Sequence, residues 1–214
     1  MIDRKAVEAA ARSFFGEGRG SHGWDHTLRV LRLAQRIGGV EGADPDVLLV
    51  ASLLHDIGRR AEDECRGSLC HAMHGARLAE PVLQETCMGL SGDQRENVLH
   101  CIRSHRFRGR EAPESLEARV IFDADKLDAI GAIGVARAYL FAGEIGARLH
   151  CPEIPVSQSL AYSMQDTGYR EYVVKLSRIR ECILTGEGRR IAEERHRFMA
   201  EFFERFLQEI EGER

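Results

Sequence analysis

The sequence predicts an all-α fold, a single bundle of helices. Apolar residues recur at spacings of three and four from residue 2 to residue 210, and no segment alternates apolar with polar residues over the length of a strand. The breaks between periodic runs also carry helix punctuation. The first run, IDRKAVEAAARSFF, spans residues 2–15, and the second, HTLRVLRLAQRIGG, spans 26–39 and ends in Gly38, Gly39 and Gly42. Asp44 and Pro45 supply an N-cap and a first-turn proline for the third, PDVLLVASLLHDIG, at 45–58. Further helices are predicted at about 71–87, 92–105, 117–145, 157–184 and 188–210. The segments RFRGREAPES and LHCPEIPVS read as loops, each too short for a flexible linker. No repeat or low-complexity tract interrupts the 214 residues, so one domain is expected, with a bundle core at about 20–145 and C-terminal helices 157–210 packed on it.

Composition excludes several function classes. With 43% apolar and 30% charged residues and a formal net charge of −4, the chain is globular and lacks the basic footprint of a duplex-binding protein. Six cysteines at 65, 70, 87, 101, 151 and 182 form no CxxC pair and no compact disulfide framework, which fits reduced thiols. The N-terminal stretch carries acids instead of a signal peptide's apolar run, and no run of eighteen apolar residues occurs. The expectation is a cytoplasmic protein, monomer or homodimer, with no membrane contact.

The stretch ASLLHDIGRR carries the chemistry. It opens as an apolar helix and closes on His55 beside Asp56. Burying such a pair without partners costs a few kcal/mol or more, and a bound cation is one partner that would hold it. Neighbours on a helix point about 100° apart, so two side chains at its end can converge on one ion. His26, at the mouth of the second helix in GSHGWDHTLRV, adds an imidazole. A further carboxylate comes from EARVIFDADKLDAIGAIGVARA, an apolar helix interrupted by Asp123, Asp125 and Asp128. Two imidazoles and two carboxylates suit Mn²⁺, Fe²⁺, Co²⁺, Ni²⁺ or Zn²⁺, with Mg²⁺ less favoured by the nitrogen ligands. Asp123 and Asp125 lie about 200° apart on a helix, so both do not easily reach one ion.

The ordered set SHGWDHTLRV, LLHDIG and DADKLDA resembles the HD-domain superfamily of metal-dependent phosphohydrolases, in particular its small stand-alone members, over residues of about 20–145. The tail YREYVVKLSRIRECILTGEGRRIAEERHRFM is also similar to this subgroup. The resemblance implies an HD-domain helical bundle in which His26, His55 and Asp56 are the first three metal ligands and Asp125 the last. Two-metal members add histidines between the HD pair and the last Asp, where this chain has His71, His74, His100 and His105. Ser104 and His105 stand where paired histidines are usual, so one tightly held metal is expected. His71, His74 and His105 then contact phosphate or transfer protons, and Asp56 or a nearby histidine takes the proton of the attacking water. His100, in NVLHCI, reads as structural. Arg59 and Arg60 replace the acid that follows the HD pair in some nucleotidase members. Arg59, Lys126 and Lys175 are candidates to meet phosphate oxygens, and Trp24 is expected to brace the His26 loop.

The resulting expectation is a hydrolase of small phosphorylated metabolites, above all nucleotides, cutting a triphosphate to monophosphate and pyrophosphate or acting as a nucleotidase. The alternatives are a cyclic-nucleotide phosphodiesterase and a non-catalytic, metal-dependent nucleotide sensor.

Overall fold

The computed structural model describes residues 2–16, 23–65, 67–106 and 111–213. Ser21 and His22, ahead of the predicted His26 helix, and residues 107–110 of the predicted loop 106–115 lie outside these described residues. Among the described residues there are α-helices and two short 3-10 segments and no strand. The helices are α1 (Arg4–Arg12), α2 (Trp24–Glu41), α3 (Pro45–Leu54), α4 (Arg59–Glu64), α5 (His71–Thr86), α6 (Gly92–Ser104), α7 (Leu116–Asp128), α8 (Gly131–Glu144), α9 (Gly168–Val174) and α10 (Gly186–Ile210). No described helix is long and apolar enough to cross a membrane. The chain divides into two compact units, Met1–Asp125 with Leu184–Glu187, and Lys126–Ile183 with Gly188–Arg214.

The first unit is built around α3. Its sequence is apolar on every face because every face is covered: α1, α2 and α6 all pack against it. Val47, Leu48, Val50, Leu53 and Leu54 are buried, each contributing about 1.5–3 kcal/mol relative to exposure. The Asp44 carboxylate accepts from the backbone N–H of Asp46 and Val47, as the sequence predicts for an N-cap. Its other oxygen accepts from Gln94 Nε2 at 2.8 Å, which ties α3 to the capping box of α6. Glu117 accepts from Asp44 N and from Asn97 Nδ2, each at 2.8 Å, and so seats the start of α7 against both helices.

Four local departures from the sequence reading have physical causes. Gly38 and Gly39 lie inside α2, which ends instead at Gly42, where φ is +81° and the N–H closes on Gly38 O. Gly38 is there for space, because a Cβ would collide with Leu48 of α3. The third helix stops at Leu54, and His55–Gly58 form a turn before the short α4. The predicted helix 117–145 is two, broken at Ile130, which is extended, and at Gly131, with φ +78°. The predicted helix 157–184 is broken up: only α9 is α-helical, with 3-10 segments at Val156–Gln158 and Leu176–Cys182 and irregular chain at 159–167. There Asp166 accepts from Tyr162 N at 2.7 Å and Gln165 from Leu160 N at 3.0 Å, local bonds that compete with helix formation.

The second unit holds an aromatic core in which Tyr172 stacks on Phe203 of α10 at 4.4 Å between ring centroids. Gly168 at the start of α9 lies so close to the Tyr139 ring that a Cβ there would meet it at 2.8 Å.

Candidate metal centre

Four helix ends and the body of α7 deliver the site. His26 is the third residue of α2, its N–H bonded to Gly23 O at 2.9 Å. Trp24 beside it packs edge-on against Phe15, with ring centroids 5.5 Å apart, so the expected bracing of this helix mouth has a definite partner. His55 and Asp56 occupy the turn that follows the buried helix α3. Gly58 lets that turn approach α5: a Cβ on it would lie 2.7 Å from Gly75 N and closer still to His71 O. The backbone contact brings His71, the first residue of α5, to the HD turn, and His105 arrives at the C-cap of α6.

The side chains converge on one carboxylate. Asp56 Oδ2 lies 3.7 Å from His26 Nε2 and 3.8 Å from His55 Nε2. Its Oδ1 lies 3.5 Å from His71 Nε2 and 3.4 Å from His105 Nε2. Asp125 Oδ1 is 3.3 Å from His26 Nε2. His26, His55, Asp56, His71 and His105 are all buried, whereas the Asp125 side chain keeps 16% exposure. Two ligand triplets therefore share Asp56: His26–His55–Asp56 and Asp56–His71–His105.

Tautomers decide what this cluster needs. His55 Nδ1 donates to Ser52 O and His105 Nδ1 to Ile102 O, both at 2.7 Å, while His71 Nδ1 donates to Glu62 Oε2 at 2.7 Å. A neutral imidazole has one N–H, so the Nε2 of each is a bare lone pair. His71 Nε2 and His105 Nε2 then face each other at 3.2 Å, and His55 Nε2 faces His26 Nε2 at 3.4 Å. The bare Nε2 atoms of His55, His71 and His105 beside a buried carboxylate fit a divalent cation, and Nδ1 bonds of this kind are what orient metal-ligating histidines.

The HD domain family matches residues 23–130 of the sequence, a span that holds every residue of the cluster. The chain belongs to the HD domain family. YpgQ of Bacillus subtilis is 33% identical over 211 residues, covering 96% of this chain and 93% of YpgQ. The crystal structure of YpgQ in complex with ADP superposes with a TM-score of 0.70 at 30% identity, over 96% of this chain and 93% of that one. An HD-superfamily hydrolase from Bacillus thuringiensis gives a TM-score of 0.75 at 27% identity, covering 97% and 96%.

The electrostatics of this HD centre favour neutral His55 and His71 beside a charged carboxylate. Burial pushes His55 down to about 4, and burial with the neighbouring His105 and Arg59 does the same to His71. Burial alone would raise the Asp56 carboxyl, but His55, His105 and Arg59 hold it well below the usual range. The HD centre has a third carboxylate, which the sequence reading missed. Glu62, one turn into α4, is buried; its Oε2 meets His71 Nδ1 and, at 3.1 Å, Arg59 NH1, and its Oε1 lies 3.0 Å from Arg106 NH1. The signal available was the spacing Arg59–Glu62 in the helix after the HD pair, which sets opposite charges one turn apart.

Not every residue singled out in the sequence joins the HD cluster. The Asp123 carboxylate accepts from Leu184 N, Thr185 N and Thr185 Oγ1 at 2.6–2.9 Å, which secures the chain entering α10. Asp128 holds Arg137 at 2.9 Å in the second unit. The three acids of DADKLDA thus have three separate tasks. His74 is half-buried on α5 and joins neither triplet among the described residues. His100 Nε2 accepts from Glu114 N at 3.0 Å, a structural role. Ser104 bonds back to His100 O at 2.7 Å, leaving His105 as the member of that pair that reaches Asp56. Arg59 NH2 lies 3.2 Å from Asp56 Oδ1, Arg60 is spent on exposed Glu64, and Lys175 Nζ meets Glu171 at 2.7 Å. Lys126 and Lys175 belong to the second unit.

Proposed function

We propose that this HD domain is a metal-dependent phosphohydrolase acting on nucleotides, with His26, His55, Asp56 and Asp125 holding a divalent ion. The observation that carries the metal is the set of bare Nε2 lone pairs of His55, His71 and His105 converging, with His26 Nε2, on buried Asp56. Mixed nitrogen and oxygen donors suit Mn²⁺, Fe²⁺, Co²⁺, Ni²⁺ or Zn²⁺ better than Mg²⁺. Support for a nucleotide comes from YpgQ, whose crystal structure contains ADP. A divalent ion bound there supplies a nucleophile from water at neutral pH and a counter-charge for a phosphoryl oxygen.

The chain's own residues do the remaining work. The buried side chains of α3 anchor the HD turn, and Ser52 O, Ile102 O and Glu62 Oε2 orient the imidazoles of His55, His105 and His71 around Asp56. His71 and His105 present unprotonated Nε2 atoms toward the centre, placed to take a proton and return it to a leaving oxygen.

A second reading has its own observation. His71 Nε2 and His105 Nε2 face each other at 3.2 Å beside Asp56 Oδ1, so that His71, His105 and Asp56 would hold a second ion in place of the single ion expected from the sequence. Metal stoichiometry separates the two: one equivalent per chain supports the proton-transfer role, two the second ion. A screen of nucleoside mono-, di- and triphosphates, cyclic nucleotides and simple phosphomonoesters with Mn²⁺, Co²⁺, Ni²⁺ and Mg²⁺ tests the function. Metal-dependent release of phosphate or pyrophosphate from a nucleotide is expected. Nucleotide binding without turnover would favour a sensor.

A further inference from the structure

His71 differs from two other imidazoles of the centre in what fixes it. His55 and His105 donate Nδ1–H to carbonyls of their own helices, Ser52 O and Ile102 O, so local backbone geometry sets their tautomers. His71 donates to a side chain instead, Glu62 Oε2 at 2.7 Å. Glu62 is itself held from two directions, by Arg59 NH1 at 3.1 Å on Oε2 and by Arg106 NH1 at 3.0 Å on Oε1. Arg59 completes the frame by placing NH2 3.2 Å from Asp56 Oδ1, so one guanidinium spans the carboxylate that supports His71 and the carboxylate His71 faces. An ionised carboxylate only accepts, so the proton between Glu62 and His71 sits on Nδ1.

We propose that Glu62, clamped by Arg59 and Arg106, is a positioning residue that fixes His71 in the Nδ1–H tautomer and turns its Nε2 lone pair onto Asp56. The proposal deepens the metal-centre reading and rests on it for its consequence, although the tautomer itself does not depend on which ion binds or on how many. The six-residue α4 acquires a purpose: it sets Arg59 and Glu62 one turn apart, on the face that meets the start of α5. Arg59 is then part of the frame and not a phosphate clamp. Without Glu62, the imidazole is free to carry its proton on Nε2, where it can neither ligate nor accept.

Two measurements on the full-length chain test this. Long-range ¹H–¹⁵N spectra with and without Zn²⁺ read which nitrogen of His71 is protonated, and Co²⁺ titration reads affinity. The wild type should show Nδ1–H on His71. Glu62→Ala should move proton occupancy toward Nε2 and lower kcat with little change in KM; where the chain takes two ions it should also weaken binding of the second Co²⁺ ten- to hundredfold. Glu62→Gln, which keeps the volume but lacks the charge, should lower kcat in the same direction by less. A Glu62→Ala protein with Nδ1–H retained on His71 overturns the proposal. If that variant does not fold, wild-type kcat in Glu62→Gln overturns it equally. A wild type that binds no Co²⁺ contradicts the metal reading instead, while its spectra still decide the tautomer.

Discussion

Gly58 is where the smallest perturbation should do the most damage. Its φ of −84° is available to any residue, so the requirement is space and not conformation. A Cβ there lies 2.7 Å from Gly75 N and 3.1 Å from Gly75 Cα, and nearer still to His71 O. All of these are backbone atoms of α5, so no rotamer can yield, and a comfortable separation of about 3.5 Å requires the HD turn and α5 to part by roughly 1 Å. Gly58→Ala should therefore cost about 1–3 kcal/mol in overpacking. The same displacement carries Asp56 away from His71 and His105, which now lie 3.5 and 3.4 Å from its Oδ1. A misplacement of about 1 Å at a reacting centre costs on the order of 10²-fold in rate. Urea unfolding of the metal-free protein, Co²⁺ affinity and nucleotide turnover measured on one preparation read all three effects. Stability within about 0.5 kcal/mol of wild type, together with unchanged Co²⁺ affinity, would refute the reasoning.

Other outcomes follow from the same geometry. His55 and His71 are pushed from 6.5 to about 4 on folding, so between those values the unfolded chain binds more protons; the metal-free fold should be fully stable above pH 6.5 and lose about 3 kcal/mol per imidazole as pH falls to 4, a loss read by urea midpoints at pH 7.5 and 4.5 and contradicted by a flat profile. Asp125→Asn should abolish metal retention and leave the circular dichroism spectrum unchanged. Asp123→Asn should keep the metal but lose about 1–3 kcal/mol of stability, because an amide cannot accept all three bonds from Leu184 and Thr185; the reverse pattern in elemental analysis would exchange the two roles. Asp44→Ala should lower stability by about 0.5–2 kcal/mol through the lost cap of α3, with metal content unaffected.

The sequence is most informative where one residue type serves one geometric purpose. Asp44–Pro45 marks the start of α3, and the unbroken apolar run after it marks a helix covered on all sides. His26, His55, Asp56 and Asp125 are legible because four polar groups interrupt apolar surroundings in a fixed order, and the structure brings them together. What escapes is what depends on contacts distant in sequence. Asp123 and Asp125 look alike in DADKLDA and differ only because Thr185 comes back to meet the first of them. Glu62 lies in a charged stretch, RRAEDE, and only the approach of α5 and Arg106 buries it. The break at Gly131 is hidden because α7 and α8 share one apolar period across it, and the irregular stretch within 157–184 is hidden because side-chain bonds to its own backbone override a helical pattern.

The central claim is that Asp56 sits at the heart of a metal centre that hydrolyses nucleotides. The most direct measurement is the rate of phosphate or pyrophosphate release from nucleoside triphosphates by wild type and Asp56→Ala, each incubated with the same excess of Mn²⁺. The account predicts turnover by the wild type that a chelator abolishes, and loss of most of that rate in Asp56→Ala with its helical circular dichroism intact. Equal rates in the two proteins, or rates that survive the chelator, would contradict it.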